Sequence, residues 1–422
     1  MATAARDTEP TETVVVHAPH EWDVSRPEIY AEDRWQPIFR EMRAKAPINK
    51  VIGSDYADYW NVTSYKAIQQ VESLPDIYSS SGELGGITIV NEDNDLPEEI
   101  KIKAPMFIAM DRPEHTAQRR VIAPAFTPGE MERMSTDIRR RTAELLDSLP
   151  FDEEFDWVDT VSIELTTQML AILFDFPWED RRKLTEWSDW AGDITASLDE
   201  ARAREQLAKL FEMAAYFKNL WDQRLDADEA PDLLSRMIHS EMREMDEMTF
   251  LGNLMLLVVG GNDTTRNSMS GFAYGLDQFP GEREKLEKNP ELIPGAVQEL
   301  LRWQTPLAHM RRTTTQDTEL MGHRIPEGEK VILWYISANR DEEMFERPDD
   351  IILDREKPGR HLAFGWGIHR CVGARLAELQ LRLLLEEMAA RRIRVNVTGD
   401  PVRVAQCFVH GFRKLPVTLS KY

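Results

Sequence analysis

One cysteine in a glycine-rich loop constrains this chain more than any other part of its sequence. Cys371 lies in the segment Phe-Gly-Trp-Gly-Ile-His-Arg-Cys-Val-Gly, residues 364–373, and an apolar-striped helix is predicted from Ala374 to about Arg392. The positive end of a helix dipole and backbone N–H groups turned inward by glycines both favour a negatively charged sulfur. The pattern therefore predicts a thiolate at the junction of a loop and a long helix.

Other roles of this cysteine are less compatible with its surroundings. A disulfide would need Cys407, the only other cysteine, which lies in an apolar segment. His369 and Cys371 do not supply the three or four closely spaced ligands that zinc requires. A single thiolate can occupy one position on haem iron. A buried cysteine in a strand-to-helix turn is the structural alternative, and the flanking Phe, Gly and His residues argue against it.

The composition excludes several classes of protein. The chain has 422 residues and a formal net charge of −23, which argues against non-specific nucleic-acid binding. Two cysteines fit a reducing, cytoplasmic compartment. The best apolar run, residues 254–259, is six residues long, far shorter than the roughly 18 to 20 residues of a membrane span. Residues 1–20 are predicted to be a disordered leader, and their polar, acidic start does not resemble a signal peptide.

The hydrophobic periodicity predicts a mainly α-helical protein with a minor β portion. Apolar residues recur every three or four positions over most of the stretch from about Pro113 to Arg302, as expected of amphipathic helices. Other elements predicted from local patterns are a helix near Trp35–Lys45 and strands at Ile48–Ile52, Tyr59–Thr63, Arg311–Thr315, Lys330–Tyr335 and near the C terminus.

A second unusual pattern is Gly-Gly-Asn-Asp-Thr-Thr at residues 260–265, inside a helix predicted from about residue 247 to 278. Two glycines in a helix interior cost roughly 1 kcal/mol each relative to alanine. Without side chains there, a flat ligand or a diatomic molecule can approach the backbone closely. Thr264 can hydrogen-bond to the carbonyl four residues earlier, and Asp263 beside it completes an acid–alcohol pair suited to proton transfer. A helix-packing glycine pair followed by a capping Asp is the alternative.

A third pattern, Glu299 followed by Arg302, places opposite charges on one helix face. Such pairs are common on solvated helices and mean little alone. Here the pair is followed by Asn-Arg-Asp at residues 339–341, by Phe-x-x-Pro at residues 345–348 and by Arg355.

In this order the patterns resemble the cytochrome P450 family. Residues 364–373 match every fixed position of the family's cysteine-loop signature, Phe-x-x-Gly-x-[Arg/His]-x-Cys-x-Gly. Residues 260–264 match its oxygen-binding motif, [Ala/Gly]-Gly-x-[Asp/Glu]-Thr. Glu299, Arg302 and Arg355 match the Glu-x-x-Arg and second arginine that form a buried structural network in the family. The resemblance implies the P450 fold as one large domain over residues 21–422.

The resemblance also implies a haem b cofactor with Cys371 as the metal ligand. The two haem carboxylates need cationic or N–H partners, and the family's His-x-x-x-Arg pattern matches His115 and Arg119. Arg312 matches another of the family's carboxylate-binding positions. Arg311 is the alternative for that position, because the strand register cannot be read from the sequence. The cofactor-binding residues expected from the resemblance are His115, Arg119, Arg312, His369, Phe364, Gly260 and Gly261.

By the same resemblance the chain is a monooxygenase of the bacterial type without a membrane anchor, in which the thiolate donates electron density to iron. Asp263 and Thr264 are the expected catalytic residues, since they would deliver and orient protons on bound dioxygen. Residues 260–268 and 408–412 resemble the bacterial alkane and fatty-acid terminal hydroxylases. The expected substrate-lining residues are Leu256, Val259, Leu307, Ala308, Phe408 and Val409, an apolar set that also suits a terpene or steroid.

We expect a monomeric, cytoplasmic enzyme that takes electrons from a separate ferredoxin served by a reductase. Two rivals are a peroxygenase, whose arginine-containing motif differs from Asp263-Thr264, and a haem sensor or carrier, which gains nothing from a proton relay. Arginines near the cysteine loop are predicted to form a positive docking surface for an acidic partner: Arg139, Arg140, Arg141, Arg370, Arg375, Arg382, Arg391, Arg392 and Arg394.

Overall fold

The computed structural model describes residues 15–91, 94–151 and 153–422. Helices predominate in it, as the periodicity predicts. They are α1 (Pro27–Ala31), α2 (Trp35–Lys45), α3 (Tyr65–Glu72), α4 (Glu114–Ile122), α5 (Pro128–Ser148), α6 (Glu164–Phe174), α7 (Lys183–Ala191), α8 (Glu200–Asp222), α9 (Leu233–Ile238), α10 (Glu247–Gln278), α11 (Pro280–Lys288), α12 (Ile293–Gln304), α13 (Tyr335–Ala338) and α14 (Ala374–Ala390).

The strands are short and form small sheets. The largest sheet has the order β1-β2-β8-β5-β3, in which β2 pairs with β8 in parallel and the other neighbours are antiparallel. A second sheet has the order β4-β12-β9, and two hairpins are β6-β7 and β10-β11. The strands are β1 (Ile48–Val51), β2 (Tyr59–Val62), β3 (Tyr78–Ser79), β4 (Phe155–Asp156), β5 (Met310–Thr314), β6 (Thr318–Leu320), β7 (His323–Ile325), β8 (Lys330–Leu333), β9 (Ile393–Val397), β10 (Val402–Arg403), β11 (Phe412–Lys414) and β12 (Pro416–Lys421).

Helix α10 runs through the centre of the molecule and organises its core. Its first turn is capped by Asp246, whose carboxylate accepts from the backbone N–H groups of Met248 and Thr249, both at 3.0 Å. Most residues from Phe250 to Ala273 are buried. The helix packs against α6, α7, α12 and α14, so it is enclosed by helices on several sides.

The ends of two predicted helices are confirmed, and other predicted boundaries are shifted by one or two residues. The strands predicted at Ile48–Ile52, Tyr59–Thr63 and Arg311–Thr315 are Ile48–Val51, Tyr59–Val62 and Met310–Thr314. The helices Trp35–Lys45 and Glu247–Gln278 have the predicted ends. Helix α14 ends at Ala390, two residues before the predicted position. The strand predicted over Lys330–Tyr335 ends at Leu333, because the chain turns at the buried Trp334 and enters α13. The indole N–H of Trp334 donates to Asn61 at 2.7 Å, a tertiary contact that local pattern does not reveal.

The predicted leader lies largely outside the described residues, which begin at residue 15. Within its described part, Val16 and Ala18 pair with Lys50 of β1 through backbone hydrogen bonds of 2.9 and 2.8 Å. Across the described ranges, no helix combines the length and the apolar character needed to cross a membrane.

Candidate functional site

The cysteine loop folds tightly over the end of helix α3. The backbone N–H of Cys371 donates to the carbonyl of Phe364 at 2.8 Å, which closes the loop just before α14 begins. Gly367 has a φ of +65°, and a Cβ there would lie 2.2 Å from the carbonyl oxygen of Glu72. Glycine is therefore needed both for the left-handed backbone and for the close approach to α3.

The electrostatic surroundings of Cys371 only partly match the thiolate prediction. Cys371 keeps accessible surface, yet desolvation by the surrounding protein raises the pKa of its thiol. The backbone N–H of Gly373 and the charges of Arg119 and Arg370 lower the pKa of Cys371 by a smaller amount. These local groups therefore act in the direction of the predicted thiolate, although the effect of burial on the pKa is larger. A bound metal cation would supply the missing stabilisation, since a coordinating thiol is deprotonated.

Helix α10 presents one accessible face in an otherwise buried segment. Between Phe250 and Ala273, accessible surface remains only at residues 256, 259, 260, 261 and 264. Leu256, Gly260 and Thr264 are four residues apart and therefore share a face. A Cβ at Gly260 would meet no atom within 4 Å, so the space beside this residue is open.

The two glycines of this motif have different surroundings. At Gly261, a Cβ would lie 2.7 Å from the Cδ2 atom of Leu170, so this residue provides close packing between α10 and α6. The structure thus places Gly260 beside the open space and Gly261 against a neighbouring helix. The predicted back-bond of Thr264 is confirmed, since its hydroxyl donates to the Gly260 carbonyl at 2.8 Å.

Asp263 points away from the open face and toward helix α7. Its Oδ1 accepts from the hydroxyl of Ser188 at 2.7 Å, from the amide of Asn262 at 3.2 Å and from Arg266 at 2.9 Å. A Cβ at Gly192 would lie 2.8 Å from Oδ2, so this glycine lets α7 approach the carboxylate. Burial raises the pKa of Asp263, and the charge of Arg266 opposes that effect.

Arg266 links the buried Asp263 to the surface, a connection that sequence reasoning missed. Its Nη2 donates to Asp263 and also to Asp189 on α7, at 2.9 and 2.7 Å. The side chain of Arg266 is 7% exposed and that of Asp189 is 49% exposed. Arg266 lies three residues after Asp263, a helix-face spacing that could have suggested this pair. Ser188 and Asp189 gave no comparable signal because their contacts depend on the packing of two distant helices.

A cluster of basic side chains lies beside the cysteine loop. The rings of His115 and His369 have centroids 4.3 Å apart, and the nitrogens of both rings are buried without a hydrogen-bond partner in the described structure. Burial, followed by nearby cationic charge, lowers the pKa of His115 to about 4 and that of His369 to about 2. The charge of Arg312 acts on both histidines. Arg119 donates to the carbonyl of Arg370 at 2.5 Å, which places it at the same loop.

The structure distinguishes Arg311 from Arg312. Arg311 donates to the carbonyls of Leu84 and Val90, both at 2.9 Å, and so holds the loop before α4. Arg312 points to the opposite side of β5, where its Nη2 donates to Glu72 at 3.1 Å. Arg312 is thus the arginine that joins the histidine cluster.

These features fit a haem. The open space beside Gly260 suits a flat macrocycle, and the thiol of Cys371 suits its iron. The four unpaired ring nitrogens of His115 and His369 lie near the guanidinium of Arg312, a set that suits the carboxylates of the cofactor. Phe364 is partly buried, and its backbone carbonyl rather than its ring is what fixes the position of Cys371.

The predicted ion network is present, and its central pair, Glu299 and Arg302, is fully buried, whereas the side chain of Arg355 is 8% exposed. Glu299 accepts two bonds from Arg302, at 2.7 and 2.8 Å, and one from Arg355 at 2.9 Å. Arg302 also donates to the carbonyls of Asn339 and Pro348, at 2.8 and 2.6 Å. The arginine charges therefore lower the pKa of Glu299 despite its burial. The network joins α12 to the segments that precede the cysteine loop.

The predicted substrate-lining residues divide into two groups. Leu256, Val259 and Leu307 retain accessible surface. Ala308, Phe408 and Val409 are 0%, 7% and 2% exposed, so they contribute little accessible surface. The reason is backbone pairing, because the N–H of Ala308 donates to the Phe408 carbonyl at 2.8 Å and Leu307 pairs with Val409.

The predicted positive surface is smaller than its arginine count suggested. Arg370 and Trp366 in the cysteine loop and Arg375 in the first turn of α14 are exposed. Most of the other arginines bind acidic side chains or the C-terminal residue, which neutralises or occupies them: Arg139 with Glu386 and Glu387, Arg140 and Arg141 with Asp137, Arg382 with Glu386, Arg391 with Asp147, Arg392 with Tyr422 and Arg394 with Glu287.

A cysteine loop, an open helix face and a carboxylate-binding cluster in a mainly α fold are the features of a haem-thiolate protein. The model of the cytochrome P450 family matches residues 100–391. The chain belongs to this family, and it is a monooxygenase with a haem-thiolate iron cofactor.

Known relatives cover nearly the whole chain. Linalool 8-monooxygenase from Pseudomonas putida is 34% identical over 94% of this chain and 98% of its own length. Methyl-branched lipid omega-hydroxylase from Mycobacterium tuberculosis is 32% identical over 86% of this chain and 84% of its own. The solved structure of cytochrome P450-153 from Novosphingobium aromaticivorans is 62% identical, with a TM-score of 0.91, and covers 95% of this chain and 100% of that one.

Proposed function

We propose that this monooxygenase hydroxylates the terminal carbon of medium-chain alkanes or fatty acids. The observation that carries the proposal is the accessible surface of α10 around Thr264, which is formed by Leu256, Val259 and the open position at Gly260. These residues carry no charge, so this surface suits an unbranched hydrocarbon chain. The name of the omega-hydroxylase relative supports oxidation at a chain end.

We assign roles to the site residues on the same basis. Cys371 binds the iron of haem b, and His115, His369, Arg119 and Arg312 bind its carboxylates. The cofactor supplies oxygen activation and the oxidation of the C–H bond. Thr264 is the first member of a proton relay. Its hydroxyl lies on the open face, where it donates to the Gly260 carbonyl at 2.8 Å.

Asp263 is the second member of the proposed proton relay and supplies a proton to Thr264. It bonds to Ser188 and Arg266 on the side away from the open face, so it must turn or use a water molecule to reach Thr264. Its buried, hydrogen-bonded position keeps the proton away from bulk solvent until it is delivered.

Terminal selectivity requires geometric control. Secondary C–H bonds are weaker than primary ones, so an unconstrained chain would react away from its end. Placement within the site can outweigh a modest difference in intrinsic barrier. Leu307 is held by its pairing with Val409, and its side chain keeps accessible surface. We assign Leu307 the role of excluding a looped chain.

The test is product analysis after turnover of octane with ferredoxin, reductase and NADH. Wild type is expected to form mainly 1-octanol, and Leu307→Ala is expected to shift the products toward 2- and 3-octanol because the wall is wider. Leu74→Ala, at an exposed leucine in the loop after α3, is the matched control and should not change the ratio. Mainly subterminal alcohols from wild type would overturn the terminal assignment.

A terpene or steroid hydroxylase is the second candidate, and the linalool 8-monooxygenase relative favours it. The same apolar face would accept a compact hydrocarbon. A panel containing alkanes, fatty acids, terpenes and steroids separates the two candidates, since good terpene turnover without alkane turnover would replace the first by the second.

We also propose that the enzyme works in the cytoplasm, with electrons from a ferredoxin. The acid–alcohol pair argues against a peroxygenase, which needs no such relay. We expect turnover with ferredoxin, reductase and NADH, and only weak turnover with hydrogen peroxide alone. Release of the cofactor as its pyridine complex would identify haem b by its spectrum.

A further inference from the structure

A buried carboxylate lies directly beneath the cysteine loop. Glu72 is the last residue of α3, and its side chain is 1% exposed. A Cβ at Gly365 would lie 3.7 Å from its Oε1, and one at Gly367 would lie 2.2 Å from its backbone carbonyl. The loop that carries Cys371 therefore wraps around this residue.

The charged and titratable groups that face Glu72 come from three elements. Its Oε1 accepts from Arg312 of β5 at 3.1 Å and from the phenol of Tyr335 of α13 at 2.6 Å. The backbone N–H of Trp366 in the cysteine loop also favours its ionised form. The charge of Arg312 also acts on the rings of His115 and His369.

Arg312 contacts Glu72 and is also a member of the cluster that fits the haem carboxylates. A guanidinium has five N–H donors. One terminal nitrogen of Arg312 binds Glu72, and the other donates to the Arg311 carbonyl at 2.7 Å. An ionised Glu72 therefore cancels part of the positive charge that Arg312 can offer to the cofactor. In a buried site this cancellation is weakly screened.

We propose that Glu72 is a positioning residue that sets the reduction potential of the haem through Arg312 and takes up a proton when the iron is reduced. The electron comes from the redox partner and the proton from solvent to the carboxylate, and no other bond is made or broken. Burial raises the pKa of Glu72 above its ordinary value of 4.5, so a change in nearby charge can alter its protonation.

The direction in which the reduction potential changes with pH follows from the linkage between proton binding and reduction. An added electron near Glu72 favours its neutral form, so its pKa is higher in the reduced protein than in the oxidised one. The potential should therefore fall as the pH rises from the oxidised-state pKa to the reduced-state pKa. This pH window lies above 4.5, the ordinary pKa of a glutamate side chain.

The test is the midpoint potential of the purified holoprotein, measured by spectroelectrochemistry from about pH 5 to about pH 9. Glu72→Gln keeps the side-chain shape and the acceptor oxygen but removes the charge. Its potential is expected to lie above that of wild type at high pH and to lose the fall with pH. Glu329→Gln is the matched control, because Glu329 is partly buried and paired with Lys50 in another part of the same sheet.

A second variant keeps the proposal testable if Glu72→Gln does not fold. Tyr335→Phe removes a donor to the ionised carboxylate and raises the pKa of Glu72, so the fall of potential should move to higher pH with an unchanged high-pH limit. Identical potential curves for wild type and both variants would overturn the proposal. A change of the same size in Glu329→Gln would also overturn it, because the effect would then be a general charge effect. The spectrum of the carbon-monoxide complex should be unchanged in all three variants, which separates this role from thiolate ligation.

Discussion

At the scale of single residues, the two cysteines provide a direct test of the ligand assignment. Reduced wild-type protein with carbon monoxide is expected to show the red-shifted Soret band of thiolate ligation, and Cys371→Ala should lose this band and the activity. Cys407→Ala is the matched control, because Cys407 is buried in a separate apolar cluster and should keep both. A histidine-type spectrum from wild type would contradict the assignment.

Thr264 and Thr265 are adjacent threonines with different surroundings. Thr264 lies on the accessible face of α10 and Thr265 is 3% exposed. Thr264→Ala is expected to bind haem and substrate while losing product per NADH by about tenfold or more, because proton delivery fails and electrons are diverted to peroxide. Thr265→Ala should stay coupled. If Thr264→Ala still formed one product per NADH consumed, Thr264 would have only a packing role.

At the scale of elements, the sequence predicted the central helix and the cysteine loop because both are encoded locally. The bounds of α10 follow from periodicity, and the motif at residues 364–373 is contiguous. The contacts of Glu72 with Arg312 span 240 positions, and those of Asp189 with Arg266 span 77. No local pattern reveals such contacts. The burial of Ala308 was also missed, because it depends on pairing with a segment near the C terminus.

Helix α7 is expected to influence proton delivery through Asp189. The charge of Asp189 raises the pKa of Asp263, so Asp189→Asn should lower that pKa. If the neutral acid donates the proton, the loss of product per NADH with rising pH should begin at lower pH in Asp189→Asn. Glu186→Gln, on the same helix, is the control because Glu186 pairs with Lys209. Superimposed pH profiles for Asp189→Asn and wild type would show that Asp189 does not act on the relay.

At the scale of the whole molecule, a strongly acidic protein keeps exposed arginines beside its cysteine loop. The net charge is −23, yet Arg370 in the loop and Arg375 in the first turn of α14 are exposed. Such a local positive surface would steer an acidic partner despite the overall charge.

Arg375→Glu tests this surface. The KM for reduced ferredoxin is expected to rise several-fold with little change in kcat, and the effect should shrink at high salt because exposed charges are screened. Arg324→Glu, on the β6–β7 hairpin, makes the same charge change elsewhere. Equal effects of the two variants would place the docking surface away from the cysteine loop.

The parallel pairing of β2 with β8 has a consequence for synthesis of the protein. Val62 pairs with Leu333, about 270 residues later in the chain. At roughly 5 to 20 residues per second, a ribosome completes Leu333 about 14 to 54 s after Val62. During that interval the β1–β2 hairpin has an unpaired edge, which is a site for association with other chains. Folding intermediates on the ribosome are therefore expected to need protection at this edge until the second half of the chain emerges.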